Sequence, residues 1–390
     1  MKNSISTPIP YGKQHITPDD IAAVVEALQA DLLTQGPRIA QFEADFAHYI
    51  GVPYAVAVAN GTAALHVCAL ALGCEGKKVL VTSLTFAASA NCIRYAGGEP
   101  DFVDIDPETL LMDIHRTREK LAAAPSGTYA GIIVVDFAGN PVNLQAFRAL
   151  ADDFGIWLLE DACHAPGGYF VDDKGLQQRC GNGEYADLAI FSFHPVKHIA
   201  AGEGGMITTR NAALAEKITL LRNHGLVRDP QKWQLSTDDI AQGGWYYEMQ
   251  ELGFNYRLTD IQAALATSQL RRADENLYLR RKFAARYDSV FANTPIQAAP
   301  FAEGNAYHLY VVQVNNRAAC YAHLRSQQIF PQIHYIPVHL LPYYRQRGWQ
   351  RGDCPHAEAY YDRCLSLPLY PTLQDDEQIF VVEQLMAIAE

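Results

Sequence analysis

Seven short runs between residues 54 and 209, at 54–58, 78–82, 99–103, 132–137, 156–160, 186–193 and 205–209, have the turn-bounded, largely apolar character of strands. Stretches with helical spacing separate them. Strands that alternate with helices in this way predict an α/β sheet covered on both faces. Thr17-Pro18-Asp19-Asp20 announces a helix, with Thr17 as N-cap, Pro18 at the first helical position and Asp20 three residues after the cap. That helix should run to about residue 30. A break at 31–37 precedes a second helix over 38–49, whose Ile39, Phe42 and Phe46 share one face. The segment 258–279 reads as one long helix, and 275–287, rich in Arg, Asn and Glu, as a solvated helix face. Asp172-Asp173-Lys174-Gly175 reads as the turn of a surface hairpin or loop. After Thr294-Pro295 the pattern changes to a strand at 307–314, a helix at 318–327 and a loop dense in Pro, His and Tyr at 333–344. The organisation expected is an N-terminal arm over 1–15, a large domain over 16–265 and a smaller α+β domain over 266–390.

Composition narrows the class. The 390 residues are 49% hydrophobic and 19% charged, as in an ordinary globular protein with a large core. No apolar run approaches the length of a membrane span and the first residues lack the apolar core of a signal peptide, so a cytoplasmic protein without a membrane partner is expected. A net charge of −12 with no basic cluster argues against nucleic acid as a partner. The eight cysteines form no C-x-x-C pair and read as buried thiols in a reducing compartment. His194 and His198 have the spacing of helical zinc ligands, but Pro195 interrupts the helix and the other ligands are missing, so no metal is expected.

The candidate chemistry centres on Lys197. It ends Ser192-Phe193-His194-Pro195-Val196-Lys197, directly after one predicted strand, while Glu160-Asp161 closes another. A pyridoxal phosphate enzyme needs both groups: an amine to hold the cofactor's aldehyde, and a carboxylate, here Asp161, to keep the pyridine nitrogen protonated. Asn60-Gly61-Thr62-Ala63 lies where a strand turns into a helix N-terminus, so free N–H groups around Thr62 and Ala63 and the Thr62 hydroxyl suit a phosphate. Taken alone, that tetrapeptide is an ordinary helix cap. Phe86 is positioned to lie against a pyridine ring, His164 to bond the phenolate oxygen and Ser192 to bond the phosphate. His334, Tyr335 and His339 read as a wall for a hydroxylated substrate or as a stabilising loop, and Arg257 and His308 as further substrate-binding candidates.

Five ordered motifs together resemble the DegT/DnrJ/EryC1/StrS family of sugar aminotransferases: Asn60 to His66, Glu160 to Ala165, Phe191 to Lys197, Gly202-Glu203-Gly204-Gly205, and Gly253 to Asp260. The resemblance spans nearly the whole chain. It implies the aspartate aminotransferase-like (fold type I) architecture, a mixed seven-stranded sheet with helices on both faces and a smaller C-terminal domain, binding pyridoxal 5′-phosphate. It also implies a homodimer with shared active sites, Asn255 reaching the cofactor phosphate of the other subunit. Segments around Tyr11, Gln35, 245–253 and 334–339 look most like the branch serving pseudaminic acid synthesis, which makes Tyr11 and Gln35 substrate-binding candidates. Transfer of the amino group of L-glutamate to C4 of a UDP-linked 4-keto-6-deoxy-N-acetylhexosamine is then the expected reaction. A dTDP- or GDP-linked sugar, reaction at C3, a cofactor-dependent dehydratase and a non-catalytic binding protein remain alternatives at this point.

Overall fold

Strand β1 (Tyr54–Val58) opens a mixed seven-stranded sheet in the computed structural model, which describes residues 8–235, 244–299 and 302–389. It is completed by β2 (Lys78–Thr82), β3 (Glu99–Val103), β4 (Tyr129–Val135), β5 (Trp157–Asp161), β6 (Leu188–Ser192) and β7 (Gly205–Thr209). The spatial order is β1-β7-β6-β5-β4-β2-β3, and only β7 runs antiparallel to its neighbours. Each strand falls where the apolar pattern places one, with ends shifted by a few residues. All seven residues of β4 are buried, as befits a central strand covered on both faces.

Helices α1 (Pro18–Leu28), α2 (Pro37–Ile50), α3 (Gly61–Leu72), α4 (Ala88–Tyr95), α5 (Ile114–Ala123), α6 (Leu144–Phe154) and α7 (Ala212–Leu221) surround the sheet. The predicted capping box is present at Thr17 and Asp20. Asp20 does more than cap: it is fully buried and accepts from Arg272 Nη2 at 2.6 Å and from Gln269 Nε2 at 2.8 Å. Those partners explain why 258–279 is not one helix. The chain forms α8 (Asp260–Leu270) and α9 (Ala273–Phe291), and Arg272, between them, leaves helical geometry to bond Asp20 and the carbonyl of His15.

The expected domain boundary near residue 266 falls inside α8, which packs on α1 and α2. A second, antiparallel sheet follows, of Gln297–Ala298, Tyr310–Gln313 and Cys364–Leu367. It shares a core with α9 that includes Phe283, Tyr287 and Phe291. The stretch 275–287, read as a solvated face, therefore carries a buried stripe, Arg280 included. The 172–175 turn is a hairpin, pairing Tyr169–Val171 with Gln177–Arg179. Within the arm, residues 1–7 lie outside the described residues, and Ile9–Pro10 pairs in parallel with Ile329–Phe330, while the carbonyl of Tyr11 accepts the Leu369 N–H at 2.9 Å. Among the described residues no helix is long and apolar enough to cross a membrane.

Candidate active site

The parallel strands β2, β4, β5 and β6 end at one edge of the sheet, where ligands bind in open α/β folds. A cavity of about 630 Å³ opens there. Tyr11, Thr62, Phe86, Asp161, His164, Ser192, Lys197, His308, His334 and Tyr335 all line it, so ten of the candidate residues meet in one place.

Strand geometry distinguishes the two adjacent acids, because consecutive side chains leave a strand on opposite faces. Asp161, the last residue of β5, faces the cavity; its Oδ2 accepts from Ser89 Oγ at 2.8 Å and its Oδ1 from the Cys163 N–H at 3.2 Å. Glu160 turns the other way and is fully buried, with the Gly181 N–H at 2.9 and 3.0 Å from its two oxygens. Burial, and then the nearby Asp136, hold the Glu160 carboxyl well above the usual carboxylate range. Asp136 is likewise pushed up to about 7 by burial, so the pair carries a proton, and of the two acids that close β5 it is Asp161 that faces the cavity.

Lys197 sits on the turn after β6, its N–H donating to the His194 carbonyl at 2.8 Å. Burial pulls its amine down to about 8, against the attraction of Cys163 and Asp161. Its Nζ lies 3.3 Å from Nε2 of His308. His308 in turn packs on His164, with ring centroids 4.3 Å apart. Burial keeps both rings uncharged, holding them well below the ordinary histidine value, and the charge of Lys197 acts in the same sense. Nδ1 of His164 accepts the Ala138 N–H at 3.2 Å, so its proton is on Nε2, which faces the Tyr335 hydroxyl at 3.2 Å. His334 is fastened to Ser366 by Nδ1 at 2.8 Å, and burial lowers it to about 3. Tyr11 packs against it at 5.0 Å between ring centroids. Phe86 is 61% exposed and reaches toward Tyr335, 6.2 Å between centroids.

At the opposite end, α3 begins against the ends of β6 and β7. Asn60 caps it by accepting the Ala63 N–H at 2.8 Å, so Ala63, named as a phosphate donor from the sequence, has its N–H committed, and it does not line the cavity. The N–H groups of Gly61 and Thr62 precede the first intrahelical bond and have no helical acceptor. Close approach demands two glycines here: a Cβ on Gly61 would meet Ser192 Cβ at 3.0 Å, and one on Gly205 would meet the Asn60 carbonyl at 2.6 Å.

Four other candidates lie elsewhere. Gln35 is exposed, on a segment pinned when the Gly36 N–H donates to Asp260 at 2.8 Å. Asn255 is exposed in a bridge with Asn223, and Arg257 donates to Asn223 Oδ1 at 2.7 Å; neither lines this cavity. His339 is fully buried and bonded to Glu358 at 2.9 Å. Of the two histidines with zinc-like spacing, His198 points inward to the Ala306 carbonyl at 2.7 Å, whereas His194 is exposed. Sequence reasoning missed Ser89 and Thr85, which brace Asp161 through a 2.9 Å hydroxyl pair; nothing in their local pattern separates them from other buried hydroxyls.

Residues 14–386 match the model of the DegT/DnrJ/EryC1/StrS aminotransferase family. The chain is similar to the spore coat polysaccharide biosynthesis protein SpsC of Bacillus subtilis, 37% identical over 98% of this chain and 97% of that protein. It is similar also to a UDP-4-amino-4,6-dideoxy-N-acetyl-β-L-altrosamine transaminase of Campylobacter jejuni, 34% identical over 98% of each chain. Among solved structures, the PLP form of the putative sugar aminotransferase Spr1654 from Streptococcus pneumoniae superimposes with a TM-score of 0.86 at 26% identity, covering 97% of this chain and 98% of that one.

Proposed function

The chain belongs to the DegT/DnrJ/EryC1/StrS aminotransferase family, and from that premise we propose that it transfers the amino group of L-glutamate to C4 of a UDP-linked 4-keto-6-deoxy-N-acetylhexosamine. The product would be UDP-4-amino-4,6-dideoxy-N-acetyl-β-L-altrosamine, made in the cytoplasm for pseudaminic acid synthesis. The protein is a PLP-dependent sugar aminotransferase, and its cofactor is pyridoxal phosphate, alternating with pyridoxamine phosphate. The observation that carries the proposal is the convergence of a depressed lysine amine, a braced carboxylate and a glycine-cradled helix N-terminus on one cavity. For the particular sugar, the support is the likeness to the Campylobacter transaminase.

The donor set suits the cofactor. Gly61, Thr62 and Ser192 offer two backbone N–H groups and two hydroxyls for the phosphate where α3 begins, and the helix dipole favours a dianion there. Asp161, its oxygens held by Ser89 and the Cys163 N–H, faces the cavity as a carboxylate for the protonated ring nitrogen. Phe86 offers its face to the ring, and His164 donates through Nε2 toward the phenolate side, next to Tyr335. When bound, the cofactor supplies the electron-withdrawing ring and the aldehyde or amine that carries nitrogen between donor and acceptor. Lys197 does the proton transfer: with a value lowered to about 8, about a tenth of its amine is free at pH 7, far more than for an ordinary lysine, and one positioned base serves both half-reactions. Tyr11, His334 and Tyr335 form the sugar-facing wall. We take the enzyme to be a homodimer in which Asn255, outside the cavity of its own chain, serves the partner's phosphate. The exposed apolar stripe of Ile21, Val25, Leu28 and Leu32 supports that reading.

The identity to SpsC, 37%, favours a second reading, transfer to another nucleotide-linked keto sugar. The test is to load the protein with pyridoxamine phosphate and add the UDP-linked keto sugar, with dTDP- and GDP-linked keto sugars in parallel. Return of the pyridoxal absorbance with the UDP sugar, and a product whose mass shows an amine in place of the ketone, is the expected result. A response only to another nucleotide sugar would replace the first reading by the second.

A further inference from the structure

Arg280 is a buried charged group near the site that neither the cofactor nor the substrate accounts for. It lies on α9, is 1% exposed, and among the described residues pairs with no carboxylate. Its Nη1 instead points at three backbone carbonyls, those of Tyr307 at 3.4 Å, His308 at 3.2 Å and Leu369 at 3.0 Å, and its Nε has no partner. Removing a guanidinium from water without a counterion costs several kcal/mol, so such an arrangement is rarely retained for stability alone. Its position gives the reason. The His308 residue that receives Nη1 at its carbonyl presents its ring Nε2 to Lys197 Nζ at 3.3 Å. A permanent cation therefore stands directly behind the base, with one residue between.

We propose that Arg280 is a positioning residue of the aminotransferase site, a buried permanent charge that joins burial itself in opposing protonation of the Lys197 amine and braces the 307–308 turn carrying His308. Beyond burial, the titratable groups facing Lys197 do not act in this direction. Asp161 and Cys163 favour its charged form, and His164, His198, His308 and His334 are held uncharged by burial. Arg280 is the permanent cation opposing them, and it acts on Lys197, His198 and His308 in the same direction. The guanidinium suits the task because, even lowered by burial to about 10, it stays charged wherever the lysine titrates.

The proposal rests on Lys197 being the base, but its test does not depend on the sugar. In protein loaded with pyridoxamine phosphate the Lys197 amine is free, and competitive acetylation followed by peptide mass spectrometry reads its half-labelling pH directly. Arg280→Gln keeps a donor for the carbonyls without the charge, and Arg280→Lys keeps a charge. The half-labelling pH should rise by roughly 0.5–1 unit in Arg280→Gln and stay near the wild-type value in Arg280→Lys. The pH at which the sugar half-reaction reaches half its limiting rate should rise with it. An unmoved midpoint in a folded, cofactor-binding Arg280→Gln overturns the proposal, as does an equal shift in both variants, which would assign the effect to geometry. Should Arg280→Gln fail to fold, Arg280→Met, which keeps the apolar stem without the charge, takes its place: the same rise in half-labelling pH is expected, and an unmoved midpoint in the folded, cofactor-binding variant overturns the proposal.

Discussion

Replacing Lys197 by Met removes the group on which the proposed reaction depends, and should also stabilise the cofactor-free protein. Burial lowers the amine from 10.5 to about 8, so folding at neutral pH holds a cation where it is disfavoured. A fall of about two and a half units at about 1.4 kcal/mol per unit corresponds to about 3.5 kcal/mol. The amine faces the open cavity, where solvent relieves part of the penalty, and about half that figure is the working expectation. The sign follows from proton binding. Because the folded value is depressed, the penalty is complete below pH 8, shrinks as pH rises from 8 toward 10.5, and is gone above that. Urea denaturation of the cofactor-free wild type and Lys197→Met, at one protein concentration and at pH 7 and pH 9.5, separates this effect from any packing gain of the methionine. The variant should be the more stable at pH 7, and its advantage should fall by about 1 kcal/mol at pH 9.5. An advantage that is absent, or the same at both pH values, would refute the assignment of a desolvated amine to Lys197.

Other consequences are checked on the loaded enzyme. The single-turnover rate of amino transfer to the keto sugar should rise with pH through about 8 and level off above it, because Lys197 must be deprotonated to act; a flat profile would contradict the role. Asp161→Asn, which keeps the shape and the bond from Ser89, should slow the same step by about a hundredfold or more while the cofactor remains bound. An undiminished rate would move the ring-nitrogen role elsewhere. Ser192→Ala and Thr62→Val each remove one hydroxyl from the proposed phosphate cradle, and each should weaken cofactor binding about five- to tenfold in equilibrium dialysis, the effect of about 1 kcal/mol. Unchanged binding in both would mean that the backbone N–H groups alone hold the phosphate.

What was legible in the sequence was whatever local chemistry dictates. Strands declared themselves because β4 and its parallel neighbours are apolar nearly throughout, and the capping box at Thr17 because its two partners are three residues apart. Lys197, Asp161 and Thr62 were legible because each stands at the end of a predicted strand or the start of a helix, and in a parallel sheet those places converge whatever the rest of the chain does. Contacts between distant segments left no such trace. The split between α8 and α9 depends on Arg272 meeting Asp20, some 250 residues earlier, and no periodicity within 258–279 contains that information. Arg280 was misread for the same reason: in a run rich in Arg, Asn and Glu it resembles every solvated residue beside it, until α9 is laid against the Tyr307 to Leu309 segment and its guanidinium meets only carbonyls. His308 drew notice as a substrate contact, and its place beside the amine follows from the same docking. The positions that carry reactive groups could thus be located along the chain, whereas the charges that tune them are fixed by tertiary packing.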